Sequence, residues 1–239
     1  MLAINPMRNL EGIIKKIDGH ISEKDQAREQ ALKISRDIII KCRKAIQKLH
    51  TDNWDDAEAL IDRSGEDIEK LNSVTENFPD LIHEGFVDNA AQEYVEAQCF
   101  YAILQDKELP DPDSLHTTYK AYLLGLGDVV GELRRGALDL VIKGDTDRAY
   151  NYLGYMDNIY DALMQFDYPS NLVPIKRKQD IARSLIEKTR GELAVASCER
   201  RIDDRANEFR GLLDQINGSS GKKPTRKNKD VDLDVDQVW

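Results

Sequence analysis

The chain has 239 residues, of which 41% are hydrophobic and 33% charged, and its formal net charge is −10. That length allows one large domain with a substantial core; the acidic balance excludes a protein coated in positive charge, though not one with a local basic patch. Cys42, Cys99 and Cys198 are scattered and form no CxxC or Cys/His cluster, which argues against a zinc site and fits a reducing compartment.

The N-terminal stretch MLAINPMRNLEGIIKK has no long apolar core, so no signal peptide is expected. No apolar run approaches the ~20 residues that cross a bilayer. The expected location is cytoplasmic, away from membranes.

Helical periodicity dominates, and strand alternation is nearly absent. A short helix is expected from Asn9 to about Gly19, and a second from Ser22 to about His50. Thr51 and Asn53 are capping candidates for a third, running to about Asn77. Pro79 suits a first helical turn and opens a fourth, ending near Gln105. After the LPDPDS loop, Ser114 or Leu115 starts a fifth that ends near Gly144. Asp145 caps a sixth, ending near Phe166. The last runs from about Ile175 to Ile216, where Asn217 and Gly218 stop it. About seven helices on short loops imply an all-α antiparallel bundle. The expected domain is 1–217. Residues 218–239, basic in GSSGKKPTRKN and acidic in KDVDLDVDQVW, are expected to be a disordered charged tail or a short docking peptide.

The second helix has two faces. Ala31, Ile34, Ile38, Cys42, Ala45, Ile46 and Leu49 fall on one side, and Lys33, Arg36, Lys41, Lys44 and Lys48 on the other. Ile40 stands among the basic residues as the exception. A solvated face is the plain reading. A phosphate-contacting surface is the functional one, because lysine and arginine displace counterions from a nucleic-acid backbone.

Glu93 and Glu96 are three apart and share a face that also carries Phe86, Ala97, Phe100 and Leu104. Asp128 and Glu132 are four apart on the next long helix, on a face with Gly125 and Gly136. Carboxylates in apolar or glycine-lined stripes need a metal, a basic partner or a raised pKa. Antiparallel packing of these helices brings the four together as hard oxygen ligands suited to Mg2+ or Mn2+. No Glu-x-x-His pair accompanies them, which disfavours a di-iron site. Spacing alone leaves ordinary salt bridges open, with Arg134 and Arg135 nearby.

The segments QEYVEAQCFYAIL and YLLGLGDVVGELRRGALDLVIKGD resemble the translin and translin-associated factor X family. ISRDIIIKCRKAIQKLH and YNYLGYMDNIYDALMQFDYPSN resemble its flanking segments, so the likeness covers about residues 20–215. The resemblance implies a seven-helix fold in barrel-like octamers that enclose RNA. Both acid pairs are retained, as in the factor X branch, so Glu93, Glu96, Asp128 and Glu132 are the implied metal ligands and catalytic residues of a metal-dependent endoribonuclease. The basic helix would hold the RNA. The chain lacks a long basic N-terminal extension and looks like an archaeal or other prokaryotic homologue, which implies a homo-oligomer. The expected function is cleavage of single-stranded RNA with Mg2+ or Mn2+. The alternative is a non-catalytic protein that binds single-stranded RNA or DNA. An all-α nucleotide pyrophosphatase and a plain scaffold are more distant alternatives.

Overall fold

The computed structural model describes residues 7–219. It contains α1 (Leu10–His50), α2 (Trp54–Thr75), α3 (Pro79–Ile82), α4 (Gly85–Leu104), α5 (Tyr119–Ile142), α6 (Thr146–Leu163) and α7 (Lys176–Ser219). No strand occurs among the described residues. The expected tail falls almost wholly on residues 220–239, outside the described ones.

Three boundaries differ from the sequence expectation. The first two expected helices are one, because Gly19 sits in an exposed stretch with no neighbour within 4 Å of a would-be Cβ. An exposed helical glycine weakens a helix by roughly 1 kcal/mol relative to alanine but does not break it. The expected 79–105 helix is two, separated where Glu84 turns extended at φ −66° and ψ 138°. The fifth long element starts at Tyr119 rather than Ser114. Residues 111–114 instead close a local turn, in which Ser114 N donates to Asp111 Oδ1 and Ser114 Oγ to Asp111 O, both at 2.8 Å. Thr118 then caps α5 by accepting from Ala121 N at 3.1 Å.

α1 packs on α2 and α4, α4 on α5, and α5 on α6. Helix α4 therefore lies between α1 and α5, which is what positions its acids. Its buried residues Val95, Ala97 and Phe100 join Ile38 and Cys42 of α1 and Val129, Val130 and Leu133 of α5 in one core. The α4–α5 approach is close. A Cβ at Gly125 would stand 2.6 Å from the Gln92 carbonyl oxygen and 2.9 Å from Val95 Cβ. No side chain larger than hydrogen fits there without movement.

The first half of α7 covers α5 and α6. Buried Gln179 donates to the carbonyls of Leu163 and Phe166 at 2.8 and 2.9 Å, satisfying groups left open at the end of α6. Arg134 of α5 donates to Thr189 Oγ1 at 2.7 Å and Glu192 Oε1 at 3.0 Å. The chain divides into two compact units after Leu193. The described part of the second is the rest of α7, where Val195, Ile202 and Phe209 are exposed. No helix among the described residues is long and apolar enough to cross a membrane.

Candidate functional site

Glu93, Glu96, Asp128 and Glu132 line one cavity of about 520 Å³, together with Arg43, Ile46, Gln47, Gly131 and Arg135. The helix spacing explains this convergence. The pair on α4 and the pair on α5 each face one way, and the close approach at Gly125 brings the two helices together.

Each carboxylate has a different environment. Arg43 of α1 holds Glu93, with Nη2 2.6 Å from Oε1. Asp128 accepts from Gln92 of α4 and from Lys178 of α7. Lys178 comes close because Gly127 leaves room: a Cβ there would stand 3.0 Å from Lys178 Cβ. Glu132 Oε2 lies 2.6 Å from His50 Nε2 and 3.9 Å from Arg135. Glu96 has no hydrogen bond or ion pair among the described residues. Burial, and then the like charges of Asp128, Glu93 and Glu132, push its carboxyl up to about 8.

Three of the four acids thus have separate partners, Arg43, Lys178 and His50. Among the described residues, no group of three or more His, Cys, Asp or Glu side chains stands in metal-holding geometry. The donor set is still of the right kind. Four carboxylates around a cavity, one of them half-buried without a cation partner, are hard oxygen donors.

The structure places the basic residues of α1 in two groups. Lys33, Arg36 and Lys44 are exposed and form no ion pair among the described residues. Ile40, 51% exposed, lies beside them. Lys41 is paired with Asp67 of α2, and Lys48 with Asp56 at 2.8 Å. None of the five lines the carboxylate cavity. Arg43 and Gln47 do line it, and at about 100° per residue they share a face with Arg36 and Ile40. The exposed basic strip therefore leads along α1 to the cavity.

Sequence reasoning missed Arg43, Lys178, Gln92 and His50. Arg43 was detectable, because it lies seven residues from Arg36 on the same face. Lys178 and His50 reach the site only through tertiary packing, and no local spacing announces them. Arg134, offered by the sequence as a salt-bridge partner for the acids, instead pairs with Glu192 at 2.8 Å. Cys42 and Cys99 are not poised as nucleophiles, since burial pushes both thiols up to about 12.

The arrangement has relatives. A model of the translin family matches residues 26–190. An uncharacterized protein of Methanocaldococcus jannaschii is 36% identical over 176 residues, which cover 73% of this chain and 78% of that one. The crystal structure of AfC3PO is similar at a TM-score of 0.73 and 34% identity, over 78% of this chain and 98% of that chain. AfC3PO in complex with duplex RNA gives 0.72 and 32%, over 78% and 97%. Apo-NeC3PO, at 0.67 and 18% over 82% of this chain and all of that one, shares the fold. The family model covers more than half of the sequence, and the identity to the Methanocaldococcus protein extends over most of both chains: this chain belongs to the translin family.

Proposed function

We propose that this protein is a divalent-metal-dependent endoribonuclease of the factor X kind, cutting single-stranded RNA with Mg2+ or Mn2+. The observation that carries the reading is the shared cavity of Glu93, Glu96, Asp128 and Glu132, with Glu96 half-buried and unpaired in its wall. These four residues would hold the ion. When bound, it would lower the pKa of a water and neutralise charge on the phosphodiester.

The chain's own residues do the rest. Arg43 and Arg135 border the cavity and supply guanidinium donors that fit phosphate oxygens. Lys33, Arg36 and Lys44 hold the RNA backbone along α1, without reading sequence. Burial and the neighbouring carboxylates, which outweigh the opposing charge of Lys178, keep Glu96 protonated at neutral pH, and it would give up that proton to a bound cation. RNA as the ligand class is supported by family membership and by the duplex RNA complex of AfC3PO. The resemblance further supports an octameric homo-oligomer with single-stranded DNA as a second ligand, and the scattered cysteines fit a cytoplasmic location.

A second reading has its own observation. Glu93, Asp128 and Glu132 already have cationic or imidazole partners, which suits a binding protein without a metal. Labelled single-stranded and duplex RNA, incubated with Mg2+ and then with chelator, separate the two. Metal-dependent products that vanish in Glu96→Gln and Asp128→Asn, with RNA binding retained, support the nuclease. RNA binding without product under any metal condition supports the binding protein.

A further inference from the structure

His50 is the last residue of α1, and its side chain is 5% exposed. Its ring packs on Phe100 of α4, with centroids 5.1 Å apart and planes at 39°. Its Nε2 lies 2.6 Å from Oε2 of Glu132. An ionised carboxylate only accepts, so Nε2 carries the hydrogen and donates it. Nδ1 is 3.9 Å from Asp139 Oδ2, beyond hydrogen-bond length.

The ring separates two spaces. His50 lines a second cavity of about 280 Å³ with Asp139, Lys143 and Tyr152, whereas its partner Glu132 lines the carboxylate cavity. Both close contacts of the Glu132 carboxylate, from His50 and at longer range from Arg135, go to Oε2. Oε1 has no protein partner among the described residues.

We infer that His50 is a positioning residue for Glu132. Its Nε2–H fixes Oε2 against the wall between the cavities and leaves Oε1 as the oxygen offered to a cation. The inference rests on the metal reading of the carboxylate cavity. The physical ground is rigidity. A glutamate on a helix has several open rotamers, whereas a buried imidazole packed on an aromatic ring has few, so one short hydrogen bond between them orders the more flexible partner. Neighbours that orient a metal ligand in this way typically change metal affinity by roughly 10- to 100-fold when removed.

The readout is Mn2+ binding to the full chain by titration calorimetry, with melting curves for every variant. His50→Phe keeps the ring and its packing but has no N–H. His50→Gln places an amide N–H where Nε2 was. The expected result is a loss of roughly 10- to 100-fold in Mn2+ affinity for H50F, with most of it restored in H50Q. In a Glu132→Gln background, H50F should cause no further loss. If H50F fails to fold, His50→Asn takes its place, since its amide is too short to reach Glu132. Wild-type affinity in a folded H50F, or H50Q as weak as H50F, overturns the positioning role alone. A wild-type chain that binds no Mn2+ overturns the metal reading and this inference together.

Discussion

Arg43 on α1 clamps Glu93 on α4 through two nitrogens, with Nη2 2.6 Å from Oε1 and Nε 3.1 Å from the same oxygen. The contact joins the basic strip of α1 to the acidic cavity. Its Arg43 side chain is 68% exposed, so solvent screens the pair and it adds little to stability. Arg43→Ala should therefore change unfolding free energy by less than about 1 kcal/mol. RNA cleavage should fall at least roughly tenfold, because a guanidinium is lost where phosphate charge develops. Denaturant melts and single-turnover cleavage check the two halves separately.

Glu96 makes stability depend on pH. Its carboxyl ionises near the ordinary value of 4.5 in the unfolded chain and near 8 in the folded one. A raised folded value means that its contribution is full below pH 4.5, declines as the pH rises, and is lost once the pH passes about 8. Glu96→Gln mimics the protonated form and should remove this slope. The stability advantage of E96Q over wild type should grow across that window and level off above it, reaching on the order of 5 kcal/mol at about 1.4 kcal/mol per pKa unit. A constant difference at all pH values would contradict the assignment.

The glycines of α5 are not equivalent. Gly125→Ala drives a methyl against the Gln92 carbonyl and Val95, and should destabilise by roughly 1–3 kcal/mol. Gly131 has nothing within 4 Å of a would-be Cβ, so Gly131→Ala should be neutral or stabilise by up to about 1 kcal/mol through helix propensity. Thermal or urea unfolding of the two variants side by side checks the sign of each.

The basic residues of α1 should divide in RNA binding. Neutralising Lys33, Arg36 or Lys44 should each lower affinity and reduce the salt slope by about one unit if the residue contacts a phosphate. Lys41 should matter less, because Asp67 already engages it together with Lys70. Although burial opposes ionisation of Asp67, hydrogen bonds from these two lysines outweigh it and hold its carboxyl below the ordinary range. Fluorescence anisotropy of a labelled RNA at several salt concentrations distinguishes the groups.

Much of this was legible in the amino-acid order. Apolar periodicity gave α2, α6 and most of α5, and acid spacing put Glu93 with Glu96 and Asp128 with Glu132 on common faces. The glycines of α5 signalled a close approach, found at Gln92 and Lys178. What was hidden is tertiary. Lys178 lies 50 residues from Asp128, and His50 lies 82 from Glu132, so no local pattern links them. The break at Glu84 had one local signal, the poor helix former Gly85 that follows it, but a single glycine does not by itself end a helix.

The central claim is that the four carboxylates serve one cation. The most direct measurement is anomalous diffraction from crystals soaked in Mn2+. A peak in the cavity within about 2.0–2.4 Å of oxygens from both acid pairs, with Arg43 and Lys178 drawn away from Glu93 and Asp128, is the expected result. Saturating Mn2+ with no peak there, and both ion pairs intact, would contradict it.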